Sequence, residues 1–305
     1  IDDPAIFKLA LEKTAEIFVA EPTGYMDDHH ENAGRFDMYT FDALHNAEPI
    51  LDDLKGQSID HVLDAHENLL YATAQPNGWY IGWGRSVERM PIMGMEFGAM
   101  LLKYNNAKNP ERLAGHIAYS AQKFIEQWWK DDNVYAHRGG MTHWYRGPQR
   151  LLEFSLDILV GFANLSFHLN HIAEKQPDLL MVDNKDELFA EQNTFISFRD
   201  KGPAVWCYRK SSIDFMLPFV EGYNSDYVAA PLSPGFLEQP VDNEFACGVP
   251  NIWFGKKCYL PLHSPSKIDK QENSITWETD GFIHYELHDW WRPVHEKKGK
   301  RKCHL

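Results

Sequence analysis

Residues 148–175 read PQRLLEFSLDILVGFANLSFHLNHIAEK, and 176–187 read QPDLLMVDNKDE. The first stretch opens on a proline suited to a first helical turn. It then sets Leu151, Ile158, Phe162, Leu165, Leu169 and Ile172 along one stripe of a long helix. The second stretch is polar and breaks that period. From Leu179 onward the texture is of short β-type runs punctuated by turn residues, at 194–198, 204–209, 213–220, 227–230 and 252–260. The runs 274–279 and 282–287 flank Asp280-Gly281, a dipeptide that favours a two-residue turn, so they are expected to form a hairpin. The change of period places a boundary near 176–185.

Upstream of that boundary the pattern is helical. Asp3-Pro4 reads as an N-cap and first-turn proline, with Phe7, Leu11, Thr14 and Phe18 recurring at helical spacing. A second helical run opens at Gly34-Arg35-Phe36-Asp37-Met38-Tyr39 and continues through Leu44. A third covers 59–74, and a Met-rich apolar fourth covers 87–104. Asn109-Pro110-Glu111 starts a fifth, whose face carries Leu113, Ile117, Phe124 and Trp128. Helices of this kind, separated by long polar loops, suggest antiparallel pairs stacked as an α/α toroid, with no internal sequence repeat to mark it. The expected fold is α+β. An N-terminal α/α toroid, incomplete or complete, covers 1–178, and an antiparallel β-sandwich domain covers 179–305. Because the chain opens within a helix, the natural protein is expected to start earlier. The basic tail, 296–304, is expected to be frayed.

The 305 residues are 44% hydrophobic and 24% charged, which suits a folded chain of two ordinary domains. A formal net charge of −14 argues against a nucleic-acid partner, which would select a basic face. It leaves room for a small anionic substrate held by a local cluster of Arg and His. No apolar run is long enough to span a membrane, so no membrane partner is expected. Nothing in the sequence chooses between secretion and the cytoplasm. The four cysteines, Cys207, Cys247, Cys258 and Cys303, contain no C-x-x-C pair. His29, His30, His45, His61 and His66 form no H-E-x-x-H motif, and the spacing of His61 and His66 is poor for one helix face. No metal ion or other cofactor is therefore predicted.

Three loop segments mix Arg, His, Tyr, Asn and Trp. The first runs from His29 and His30 through Asn32 to Tyr39. The second is Asn77-Gly78-Trp79-Tyr80-Ile81-Gly82-Trp83-Gly84-Arg85-Ser86, followed by Arg89. The third is His137-Arg138-Gly139-Gly140, then His143-Trp144-Tyr145-Arg146. Such side chains suit the removal of a proton beside a carboxylate. Asn, Arg or protonated His stabilise the enolate as its charge develops, while Tyr or neutral His moves protons. A tyrosine acts as base only where adjacent positive charge lowers its ordinary pKa of ~10. Aromatic faces can hold sugar rings. The plainer readings are that Trp79, Trp83 and Trp144 pack in a core and that Arg35 and Asp37 form a loop ion pair. The Met residues 90, 93, 95 and 100 read as core.

Asn32-Ala33-Gly34-Arg35-Phe36-Asp37-Met38-Tyr39, Asn77-Gly78-Trp79 and Trp83-Gly84-Arg85-Ser86 resemble segments of the heparinase-like polysaccharide lyases. They most resemble the L-rhamnose-α-1,4-D-glucuronate lyases that act on gum arabic. The similarity spans about 25–290, and the family layout is a toroid followed by an antiparallel β-sandwich. It implies β-elimination on a polysaccharide or oligosaccharide containing uronic acid. In that reading Arg85 and Asn77 bind the carboxylate, and His143 and Tyr145 move protons, with His45 or His30 as alternative bases. Tyr39 and Arg35 support from the facing loop, and Trp79 and Trp83 stack on sugars. Tyr80, Arg89, Trp144, Arg146 and His30 complete the substrate contacts. Two rival readings stand beside it. One is a glycoside hydrolase using Asp37 or Glu96 with Asp157 as its carboxyl pair. The other is a glycan-binding protein without turnover. In the second half Glu221, Tyr223 and Tyr227 are the chief candidates for one wall of a cleft.

Overall fold

The computed structural model describes residues 3–19, 23–26, 34–36, 38–46, 48, 59–76, 78, 80, 82, 90–130, 133–134, 148–181, 188–199, 202–211, 213–220, 252–254, 257–260, 265–279, 282–286, 294–296 and 301–304. Among them the order is α1 (Pro4–Val19), α2 (Met38–Asn46), α3 (Asp60–Thr73), α4 (Met90–Lys103), α5 (Pro110–Trp128), the short strands β1 (Trp129–Lys130) and β2 (Asn133–Val134), and α6 (Pro148–Lys175). A 3-10 turn, Pro177–Met181, follows, and the later named elements are strands. The chain is thus α+β, helices first and antiparallel sheets second.

Local signals explain the helix starts. The Asp3 carboxylate accepts from the Ala5 amide at 2.9 Å, and Pro4 occupies the first turn of α1. Asn109 Oδ1 accepts from the Arg112 amide at 3.0 Å, again with a proline next, which starts α5. The run expected from Gly34 becomes helical only at Met38, because Gly34 has φ +83° and Phe36 forms an isolated bridge.

α4 is the centre of the helical half, and every residue from 92 to 102 is buried. A helix apolar on all sides needs neighbours on all sides. Against α3, Gly94 lies on Leu70 while Phe97 faces His66, so the two run antiparallel. The short connection 104–109 reverses the chain, and Gly98 packs on Leu113 and Ile117 of α5. Against α6, Ile92 meets Gly161, Asn164 Nδ2 donates to Glu96 Oε1 at 2.9 Å, and Lys103 Nζ lies 5.0 Å from the Phe167 ring centre. Position advances along both helices together, so α4 and α6 are parallel. Phe41 of α2 sits 5.2 Å from Phe97, and Glu48, just past the end of α2, meets Lys103, so α2 is parallel to them as well. α2, α4 and α6 therefore share one direction, and α3 and α5 oppose it.

The second half forms three antiparallel sheets among the described residues. β3 (Gln192–Ser197), β4 (Ala204–Lys210) and β5 (Ile213–Phe219) make a meander in that order. β6 (Ile252–Phe254) and β7 (Lys257–Leu260) split the expected run at 252–260 into a pair. They join β10 (Phe282–Glu286) and β11 (Val294–Glu296) in the order β11-β10-β7-β6. β8 (Pro265–Lys270), β9 (Ile275–Thr279) and β12 (Arg301–His304) form the third sheet, with β9 central. The expected hairpin at Asp280-Gly281 is corrected, since β9 and β10 lie in different sheets. Each already has both edges paired, β9 by β8 and β12 and β10 by β7 and β11. The expectation of a frayed tail is corrected for Arg301–His304, which is a paired strand, while 297–300 lie outside the described residues. The run at 227–230 lies outside the described residues.

One hydrophobic core links the halves, from Phe36 and Leu70 to Phe198, Val205 and Leu217. The Tyr25 ring stacks on Phe198 at 3.9 Å, and Thr23 Oγ1 donates to the Phe198 carbonyl at 2.9 Å. Gln192 Nε2 donates to the Ala72 carbonyl at 2.9 Å, and the Arg209 guanidinium donates to the Ala74 carbonyl. Each large apolar side chain of that core, such as Leu70 or Phe198, contributes about 1.5–3 kcal/mol by burial. Among the described residues no helix is long and apolar enough to cross a membrane. Cys207 is a free, buried thiol, and burial pushes it up to about 12.

Candidate functional site

Ten of the residues singled out in the sequence lie outside the described residues: His30, Asn77, Trp79, Trp83, Arg85, Arg89, His143, Trp144, Tyr145 and Arg146. Tyr39, Arg35 and Tyr80 are described, as are His45, Glu96 and Asp157 of the alternative readings. Tyr39 is half-buried in the first turn of α2. Arg35 is 2% exposed and Tyr80 is 1% exposed, where the substrate-binding reading expects an open surface. Gly78, at φ +86°, lies in the turn between Ala74 and Tyr80, which pair as an isolated bridge. The Tyr80 ring then fills the space over Gly94 beside Ser120, and burial pushes its phenol up to about 12. A glycine-rich, aromatic sequence resembles a loop, but its Tyr80 is buried.

The direction of the helices bears on the segments that are not described. In the chain, residues 29–37 precede α2, 81–89 precede α4 and 135–147 precede α6. These are the three parallel helices, so their positive dipole ends point the same way.

Their C-terminal ends carry a second constellation. His45 Nε2 lies 3.4 Å from His168 Nε2 and 3.4 Å from Glu48 Oε2, and His168 Nε2 lies 3.5 Å from the same oxygen. Lys103 Nζ donates to the other oxygen, Glu48 Oε1, at 2.6 Å, and the Tyr104 hydroxyl donates to it at 3.2 Å. The imidazoles are nearly perpendicular, at 76°. The ligating atoms of His45, Glu48 and His168 all lie within 4.8 Å of one another, which makes them a group able to hold a metal ion. Burial raises the Glu48 carboxyl, but the Lys103 hydrogen bond and the charges of His168, Lys103 and His45 leave it below the usual carboxylate range. His168 is pushed below its ordinary value by burial, with Glu48 opposing and Lys103 and His45 adding to the effect. Burial and Glu48 raise the Tyr104 phenol.

Comparison with family models, curated proteins and solved structures finds no match to this chain.

Other buried polar groups lie outside this constellation. Glu96, one carboxyl of the hydrolase reading, is buried between α4 and α6 and bound by Asn164; Asp37 lies outside the described residues. His66 sits between the carbonyls of Val62 and Met26, at 2.8 and 3.1 Å, and burial lowers its pKa. Tyr71 and Tyr80 are both raised by burial, so neither is suited to be a base. Sequence reading named His45 but missed Glu48, Lys103, Tyr104 and His168. The one local signal was His168 within the apolar stripe of α6, between Leu165 and Leu169.

Proposed function

We propose that this protein is a polysaccharide lyase that cleaves a uronate-containing glycan by β-elimination. One observation carries the reading. The three segments rich in Arg, His, Tyr and Trp feed the N-termini of three parallel helices, α2, α4 and α6, and antiparallel α3 and α5 alternate with them in the chain. Such alternation suits part of an α/α toroid, with the antiparallel sheets following as a sandwich. In this arrangement the segments would border one cleft, and the helix dipoles would favour an anionic sugar there. Arg85 and Asn77 would bind the uronate carboxylate and hold the enolate charge. His143 would take the proton beside the carboxylate, and Tyr145 would protonate the departing glycosidic oxygen. Tyr39, at the start of α2, would support them. Trp79, Trp83 and Trp144 would stack on neighbouring sugars, with Arg89, Arg146 and His30 around them. Arg35, being buried, would position the first segment.

The test is incubation of the full chain with a panel of uronic-acid glycans, including gum arabic. Elimination creates a conjugated, ultraviolet-absorbing unsaturated uronate. A gain of absorbance with new reducing ends supports the lyase. Reducing ends without absorbance would replace it by a hydrolase, and binding without either product by a glycan-binding protein.

A further inference from the structure

We propose that His45, Glu48 and His168 form a binding site for a divalent cation of the zinc class, at the end of the helical half opposite the N-termini of α2, α4 and α6. The three ligating atoms form a nearly equilateral triangle. Its three edges are 3.4, 3.4 and 3.5 Å. A charge-assisted hydrogen bond between imidazolium and carboxylate draws to about 2.7–2.9 Å, as the adjacent Lys103–Glu48 contact does at 2.6 Å. As a hydrogen-bonded network the triangle is loose. Two neutral imidazoles set Nε2 to Nε2 also share at most one proton.

As a ligand set its dimensions fit. The point equidistant from corners with these separations is about 2.0 Å from each, and Zn–N and Zn–O bonds are about 2.0–2.2 Å. An ion at about 2.1 Å would sit just out of the plane, with donor–ion–donor angles of about 110°, the tetrahedral value. An octahedral ion at that distance needs edges of about 3.0 Å, and magnesium and calcium prefer oxygen donors throughout. Two imidazoles and one carboxylate at tetrahedral spacing therefore select zinc, or cobalt as its substitute.

The surroundings fit as well. His168 is 3% exposed, while Glu48 at 15% and His45 at 24% leave a route for an ion. Glu48 divides its work, Oε1 held by Lys103 and Tyr104 and Oε2 turned to the histidines, so the carboxylate is oriented from behind before any ion arrives. His45 lies in the last turn of α2 and Lys103 ends α4, where the negative dipole ends favour a cation. Lys103 is the charge that opposes one, and it sits on the far oxygen. His171, one turn beyond His168, is a further titratable group that acts on the site, beside Tyr104. An ion here would join α2 to α6. It would also leave one coordination position for water or an anionic ligand.

The experiment uses the full chain, stripped with a chelator and titrated with Zn²⁺ by calorimetry, with no glycan present, so its result is separate from that of the lyase assay. One equivalent is expected to bind and to raise Tm. Glu48→Gln and His45→Gln, at part-exposed positions where the fold should survive, are expected to weaken binding at least tenfold and to abolish the Tm gain. Circular dichroism checks that both variants remain folded. His168→Ala should behave alike, but its burial makes it the less decisive variant. The sequence holds 15 histidines, so His304→Ala, on exposed β12, serves as a control and should bind as the parent does. Co²⁺ in the same site should give the intense visible bands of tetrahedral coordination. The proposal is overturned if the parent binds no Zn²⁺, if folded Glu48→Gln and His45→Gln bind as tightly as the parent, or if the cobalt spectrum is octahedral.

Discussion

Glu67 and Tyr71, one turn apart on α3, are joined by a hydrogen bond of 2.6 Å that is wholly buried. The same carboxylate accepts from the amides of Lys108 at 2.9 Å and Asn109 at 3.4 Å, so one side chain ties α3 to the chain that enters α5. Glu67→Ala leaves the buried Tyr71 hydroxyl with only the Asn109 carbonyl, at 3.3 Å, and unties two amides of exposed residues, so it is expected to cost about 1–3 kcal/mol. Glu67→Gln keeps one acceptor and should cost less. Urea unfolding of the two variants measures the order, and an equal loss for both would show that the amides find other partners.

Gly161 is a contact point between α6 and α4. A Cβ there would fall on Ile92 Cγ2 and close to Glu96 Oε2. Gly161→Ala is therefore expected to destabilise by about 1–3 kcal/mol through overpacking, although alanine is the better helix former. Ile92→Ala removes the clashing methyl, so a double-mutant cycle should show favourable coupling of about 1 kcal/mol. Additive losses would place the strain elsewhere.

His116 is buried beside Tyr71 and Phe189, and its pKa is lowered to about 3 by burial and then by the charges of Arg112 and Arg209. The unfolded imidazole has its ordinary value of about 6.5. Between about 3 and about 6.5 the unfolded chain binds the extra proton, so stability rises with pH across this window. The contribution is complete above the unfolded value and is lost as pH falls toward the folded one. Replacement by phenylalanine should flatten the curve of ΔG against pH between pH 6 and pH 4. An unchanged slope would assign the acid lability to other groups.

Arg35 and Arg85 should separate by kinetics if the lyase reading holds. Arg85→Ala removes a group that stabilises the enolate, so kcat should fall about 10²–10³-fold with the melting temperature unchanged. Arg35→Ala empties a buried position, so its loss should appear first in Tm. A larger fall in kcat for Arg35→Ala at full stability would reverse these roles.

Much of the secondary structure was legible in the chain because its signals are local. Asp3-Pro4 and Asn109-Pro110 cap α1 and α5 with side chains only a few positions away. The stripe through Ile158, Leu165 and Ile172 announced α6, and all three side chains are buried. The site was less legible. Tyr80 and Arg35 sit in segments whose composition suits a binding loop, and their burial depends on the Gly78 turn and on packing from distant helices. Glu48 had one local partner, His45 three positions before it, and the others are 55 and 120 positions away, at Lys103 and His168.

What the amino-acid sequence determined alone is the succession of elements, helices and then strands, because a hydrophobic period and a cap are properties of neighbouring residues. The tertiary structure decided the common direction of α2, α4 and α6, and the assignment of β9 and β10 to separate sheets across a dipeptide that favours a hairpin. It also decided the meeting of His45, Glu48 and His168 at one end of the helices. Each depends on which distant surfaces bury one another, and a strand whose two edges are already paired cannot follow the preference of its turn.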